Sequence, residues 1–161
     1  RKDTGHYEDF ARSMLAAQLG RVDVLPPAQG AQDYINRLTP DGQSPLHASA
    51  NNGYVPMAEE LVKRGARPSL QNEEQQTPLH WAAWNNQSGM VMFLLDQGAD
   101  ISVRDSAGNT PLLMAVQQNA LETVKLLIAR GADKNPANKQ GQTALMLATD
   151  RGFEEIAKLL R

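Results

Sequence analysis

The side chains able to do chemistry are few and scattered. His47 and His80 lie in similar surroundings 33 residues apart, and His6 stands alone near the start. A zinc or similar metal site needs three or four convergent ligands, and no segment gathers His, Asp and Glu in that way. With no cysteine in the chain, thiolate metal ligands, a thiol nucleophile and disulfides are excluded. No glycine-rich phosphate loop, G-x-S-x-G elbow or H-E-x-x-H pair occurs. Glu73 and Glu74 are adjacent carboxylates, but neighbours in a turn diverge into water and read as a solvated face, not an acid and base pair. The expectation is therefore no catalytic residue, no metal and no cofactor.

Composition narrows the partners. The chain has 161 residues, 41% of them hydrophobic, 21% charged, and a net charge of −2, the profile of one ordinary domain able to bury a core. Without a broad basic field, nucleic acid is not an expected partner. No apolar run approaches the roughly 18 residues of a membrane span and no polybasic patch appears, so a membrane is not expected either. The chain begins with Arg1 instead of methionine, so a leader, if one exists, lies outside it, and no compartment is assigned.

The elements that position these residues repeat. "SPLHASANNG" from Ser44 recurs as "TPLHWAAWNN" from Thr77, "TPLLMAVQQN" from Thr110 and "TALMLATDRG" from Thr143, each 33 residues after the last. Leu46, Leu79, Leu112 and Leu145 keep that step, as do Leu61, Leu94, Leu127 and Leu160, and Gly65, Gly98 and Gly131. A Ser or Thr followed by Pro45, Pro78 or Pro111 suits a helix N-cap followed by proline at the first helical position, where no amide hydrogen is needed. Thr143 keeps the cap and drops the proline. Paired small residues such as Ala82 and Ala83 let neighbouring first helices approach, and second helices such as "TVKLLIARG" add bulk and end on a glycine. Earlier in the chain, Phe10 to Gly20 fits a first helix, but Pro26 and Pro27 interrupt where a second would run.

This pattern resembles the ankyrin repeat family, whose signature is a period of 33, a "TPLH-x-A" helix start and a closing "GAD". The resemblance implies an all-α solenoid of stacked helix-turn-helix units joined by hairpin-like loops. One domain, residues 1–161, divides into a degenerate N-terminal cap (1–38), three full repeats (39–71, 72–104 and 105–137) and a C-terminal capping repeat (138–161). It also implies structural histidines: in this family the His of "TPLH" bonds neighbouring loops, and His47 and His80 match it. Asn135, in "GADKN", matches a hairpin asparagine that asparaginyl hydroxylases modify in some animal proteins, although asparagine also serves the turn itself. Stacks of this kind are rarely enzymes by themselves.

Family members bind partners on the concave side, through hairpin tips and the outward positions of the first helices. The column Leu15, Ala48, Trp81, Met114 and Leu147 is apolar throughout, which predicts an interior or inter-repeat position and a structural Trp81. The column Gln18, Asn51, Trp84, Gln117 and Asp150 is polar except at Trp84. The next holds Leu19, Asn52, Asn85, Gln118 and Arg151, and the hairpin tips add Asp41, Gln43, Glu73, Glu74 and Gln76. Trp84 with this amide-rich surface is the expected contact face, since amides donate and accept together. The expected function is non-catalytic binding of a protein partner by a monomeric module. The alternatives are a dedicated inhibitor or immunity-type binder of an enzyme or toxin, and a substrate-selecting module of a larger enzyme.

Overall fold

The computed structural model describes residues 2–161, with side chains from Gly5 onward. Nine α-helices and two short 3-10 segments make up its regular structure, and no strand occurs among the described residues. Helix α1 spans Lys2–Leu19, followed by 3-10 segments at Val22–Val24 and Ala31–Asp33. Four helix pairs then follow: α2 (Pro45–Asn52) with α3 (Val55–Lys63), α4 (Pro78–Trp84) with α5 (Ser88–Asp96), α6 (Pro111–Gln117) with α7 (Leu121–Ala129), and α8 (Ala144–Asp150) with α9 (Glu154–Leu160). Inner helices α1, α2, α4, α6 and α8 stack in chain order, with α3, α5, α7 and α9 forming the outer row.

Each inner helix after α1 starts for the same local reason. The hydroxyls of Ser44, Thr77, Thr110 and Thr143 accept from the backbone amides of His47, His80, Leu113 and Met146, which satisfies a donor that the first turn leaves open. Such a cap contributes about 1 kcal/mol. In the first two pairs the histidine closes a reciprocal capping box, its ring reaching back to the cap's own amide. The inner row packs closely because it presents little bulk: Ala16, Ala17, Ala50, Ala82, Ala83, Ala115 and Ala148 are all fully buried. Leu61, Leu94 and Leu127 of the outer row are equally buried, each contributing roughly 1.5–3 kcal/mol. Pro56 and Gly89 fall in the first turns of α3 and α5, where an interior hydrogen bond is not required of them.

The N-terminal unit departs from the repeat. After Pro26 and Pro27 there is no second α-helix; Leu25, Ala31, Tyr34 and Ile35 are buried in its place. Arg64 Nη1 donates to the Pro26 carbonyl at 2.6 Å and Asn36 Nδ2 to the Gly65 carbonyl at 3.1 Å, tying this segment to α3. Helix α1 also begins eight residues before the Phe10 that the repeat predicts. Residues 6–12 contain neither proline nor the turn signals that precede the other inner helices, so nothing stops the helix from extending. The extension gives His6 a neighbour that the sequence did not suggest, with Nε2 3.5 Å from Asp33 Oδ2.

Candidate functional site

The concave side is assembled from hairpins and inner helices, and the hairpins come first in the chain. Thr39, Asn72, Asp105 and Asn138 occupy one column. A side-chain oxygen of each accepts the amide four residues on, at 3.0, 3.0, 2.9 and 3.0 Å, and closes the turn. Adjacent hairpins are then joined: Ser106 N donates to the Glu74 carbonyl at 2.8 Å and Lys139 N to the Ala107 carbonyl at 2.9 Å. Gly108 allows that second approach, because at φ 79° a Cβ there would lie 2.9 Å from Lys139 N.

The histidines fasten hairpins to helices. His47 Nε2 lies 3.0 Å from the Gln76 carbonyl and His80 Nε2 2.9 Å from the Asn109 carbonyl, each one repeat onward. The other ring nitrogen, Nδ1, faces the cap residue's amide, at 3.4 Å for Ser44 and 3.1 Å for Thr77. A ring that donates through Nε2 and accepts at Nδ1 is neutral. Burial favours the same state: loss of hydration pushes His47 from the ordinary 6.5 down to about 4, and lowers His80 as well.

Between the second and third hairpins and helices α2, α4 and α6 lies a groove of about 460 Å³. Trp84, Asn85, Asn51, Gln117 and Gln76 line it, and so does Trp81. The two tryptophans differ in environment without being separated. Trp84 is exposed, at 37%, whereas Trp81 is half-buried, its ring edge-on to His47 with centroids 5.3 Å apart and Nε1 donating to Gln76 Oε1 at 3.1 Å. Both therefore border the same open space. Asn85 Nδ2 reaches Asn51 Oδ1 at 2.6 Å and Gln117 Nε2 reaches Asn109 Oδ1 at 3.1 Å, so part of the amide capacity is already used within the face.

The remaining contact candidates lie elsewhere. Asp41, Glu73 and Glu74 border a separate hollow of about 320 Å³ between the first two hairpins. There Asp41 accepts from the Thr39 hydroxyl and from Gln43 Nε2, the latter at 2.9 Å, and these bonds hold its carboxyl below the usual range. Asn52 bonds back to its own helix at the Ala48 carbonyl, 3.1 Å away, and Arg151 Nη1 donates to the Gln117 carbonyl at 2.8 Å. Gln118 and Asp150 are exposed and do not line the groove. Asn135 is exposed, its amide donating to Asp133 Oδ1 at 2.9 Å.

One expectation fails. The column of Trp81 is not interior throughout, since Leu15 is 51% exposed while Ala48, Met114 and Leu147 are buried. Asp105 is a groove residue that the sequence did not single out. It is 5% exposed and lines the groove beneath an otherwise uncharged surface. A visible signal was its column, where the other three members are neutral.

Comparison with known families agrees with this architecture. A family model described as Ankyrin repeats (3 copies) matches residues 13–105 and 103–161. No curated protein matches the chain. Its 33-residue period, its capped helix pairs and a match over nearly its whole length place the chain in the ankyrin repeat family, whose repeats generally act as protein interaction modules and are typically non-catalytic.

Proposed function

We propose that the chain is a non-catalytic module that binds a protein partner through its concave face, with Trp84 at the centre of the contact. The observation that carries this reading is the exposure of Trp84 in a concave groove, in a column where the other repeats hold polar residues. Tryptophan combines a large apolar surface with one donor, and truncating such a residue at the centre of an interface often costs about 2 kcal/mol or more. Asn85, Asn51, Gln117 and Gln76 surround it with groups that donate and accept, suited to the backbone of an extended segment or the loop of a folded partner. Asn52, Gln118, Asp150 and Arg151, and the hairpin residues Asp41, Gln43, Glu73 and Glu74, would form the outer part of the contact.

The test is affinity capture from an extract of the producing cells, with mass spectrometry, run beside a Trp84→Ala control. The recovered partner is then purified and titrated against both proteins. A loss of about thirtyfold in affinity, the equivalent of about 2 kcal/mol, with an unchanged thermal midpoint is the expected result. Unchanged affinity together with a marked drop in the midpoint would make Trp84 a packing residue and overturn the assignment.

A further inference from the structure

The convex side, behind the groove, carries a departure of its own. Helices α3, α5, α7 and α9 lie side by side in the outer row, so residues of one column stand at one level of four parallel helices. The outermost column reads Glu59, Met92, Lys125 and Lys158, all exposed. Three are charged, the usual state of a position that faces water, and only Met92 is apolar, at 47% exposure. One turn earlier, Gly89 stands where α7 and α9 have Glu122 and Glu155. A Cβ there would meet nothing within 4 Å, so the backbone of α5 is open to close approach. Phe93, partly buried against the core, stands where α3 has Glu60. Before Asp96 the sequence of α5 carries no charge at all, and its outer side is an apolar strip between two charged helices.

The charges flanking this strip have opposite signs. On α3, Glu59 is exposed and, among the described residues, enters no ion pair. On α7, Lys125 is exposed and meets Glu122 of its own helix at 3.6 Å, a pair of solvated side chains that exchanges readily. Both share the column of Met92, so they stand level with it, one helix spacing of roughly 8–10 Å to either side.

Such a face is complementary to itself. A two-fold axis running along α5, between two copies, sets Met92 against Met92 and lays the α3 of each copy over the α7 of the other. Glu59 of one copy then faces Lys125 of the other, twice, as a two-fold contact demands. An antiparallel pairing would set Glu59 against Glu59, so the charges select the parallel one. Asp96, which the axis also brings near its twin, is already neutralised by Arg130 Nη2 at 2.8 Å. Methionine suits the axis, because an unbranched thioether adapts its shape to its own copy.

We infer that the convex face of α5 is a self-association surface, on which a second copy of this chain packs about a two-fold axis centred on Gly89 and Met92. The inference is independent of the concave-face reading, since the groove is built from inner helices and hairpins. Both grooves of the pair stay open, and a partner offering the same segment twice is held by two contacts instead of one. The monomer expected from the sequence is the dilute state.

Sedimentation velocity on the whole chain, from about 1 μM to about 1 mM, spans the range of a weak specific contact. The expected result is a concentration-dependent passage from monomer to dimer with no larger species, because a two-fold contact closes on itself. Met92→Lys, which installs the residue found at positions 125 and 158, should weaken the dimer about tenfold or more. Glu59→Lys and Lys125→Glu should each weaken it too, by setting like charges against each other. Mixing those two variants should restore the dimer, since one then presents two bases and the other two acids across the same axis. All three side chains are exposed, so the thermal midpoints should stay near that of the parent chain. Absence of a dimer at about 1 mM, growth beyond the dimer, indifference to Met92→Lys, or a mixture no stronger than the single variants would each overturn the inference.

Discussion

Acidification should loosen the stack in a way traceable to its two buried histidines. His47 is wholly buried, and its pKa falls from 6.5 to about 4 because the interior disfavours the imidazolium. Folding lowers this pKa, so the unfolded chain takes up the proton first. The stability linked to His47 is intact above about pH 7, is lost progressively as pH falls through 6.5, and stops falling below about 4. With 1.36 kcal/mol per pKa unit, the loss is about 2 kcal/mol at pH 5 and about 3 kcal/mol at its limit. His80 shifts in the same direction for the same leading cause and adds to the effect. Urea denaturation followed by circular dichroism at pH 7, 6 and 5 measures the slope. The same series on His47→Gln, which keeps a side-chain donor for the Gln76 carbonyl but cannot titrate, should lose about 2 kcal/mol less between pH 7 and 5. Equal slopes in the two proteins would refute the linkage, as would an NMR titration placing the His47 midpoint near 6.5.

Two further predictions concern the hairpins. Gly108 and Gly141 share a column and a left-handed backbone, at φ 79° and 78°, but a Cβ at Gly108 would meet Lys139 N at 2.9 Å whereas one at Gly141 meets nothing. Gly141→Ala should therefore cost only about 1 kcal/mol of backbone strain. Gly108→Ala should cost roughly 1–3 kcal/mol more, because it also displaces the bond between Lys139 and the Ala107 carbonyl; equal losses in chemical denaturation would refute the close approach. Gln75 occupies the same column at φ 62°, where Gly42, Gly108 and Gly141 stand in the other repeats. Gln75→Gly should raise stability by up to about 1 kcal/mol, and a fall in the denaturation midpoint would count against strain at this turn.

How much of the fold is legible in the sequence depends on how local its cause is. A hydroxyl three residues before the amide it caps is a short-range fact, and the four caps at Ser44, Thr77, Thr110 and Thr143 follow from their sequence columns. The period makes positions equivalent, so the buried leucines of the outer row can be read the same way. It does not say what covers the first unit, which is why Leu15, apolar like its column, still faces water. The start of α1 is illegible for a related reason, since residues 6–12 lack the turn and cap residues that mark a helix start at the corresponding positions of the other repeats. At the site, column comparison isolates Trp84 but overstates its distance from Trp81. The periodicity sorts positions around a helix, while the groove is bounded by side chains from three helices and two hairpins together. Asp105 escapes attention because an aspartate in a turn is ordinary; only its burial makes the charge conspicuous.

A solenoid makes such departures informative. Members of one column meet similar neighbours, so whatever the stack itself requires tends to recur down the column, and a residue found once answers to something else. Trp84 leaves more than a third of its surface in water, which for a side chain of roughly 150–250 Å² is about 60–90 Å², or about 1.5–2 kcal/mol of burial that the isolated chain forgoes. A glutamine there, as at position 117, would satisfy the fold without that loss. The forgone burial is similar in size to what one central tryptophan typically contributes to an interface, and a partner that covers Trp84 recovers it.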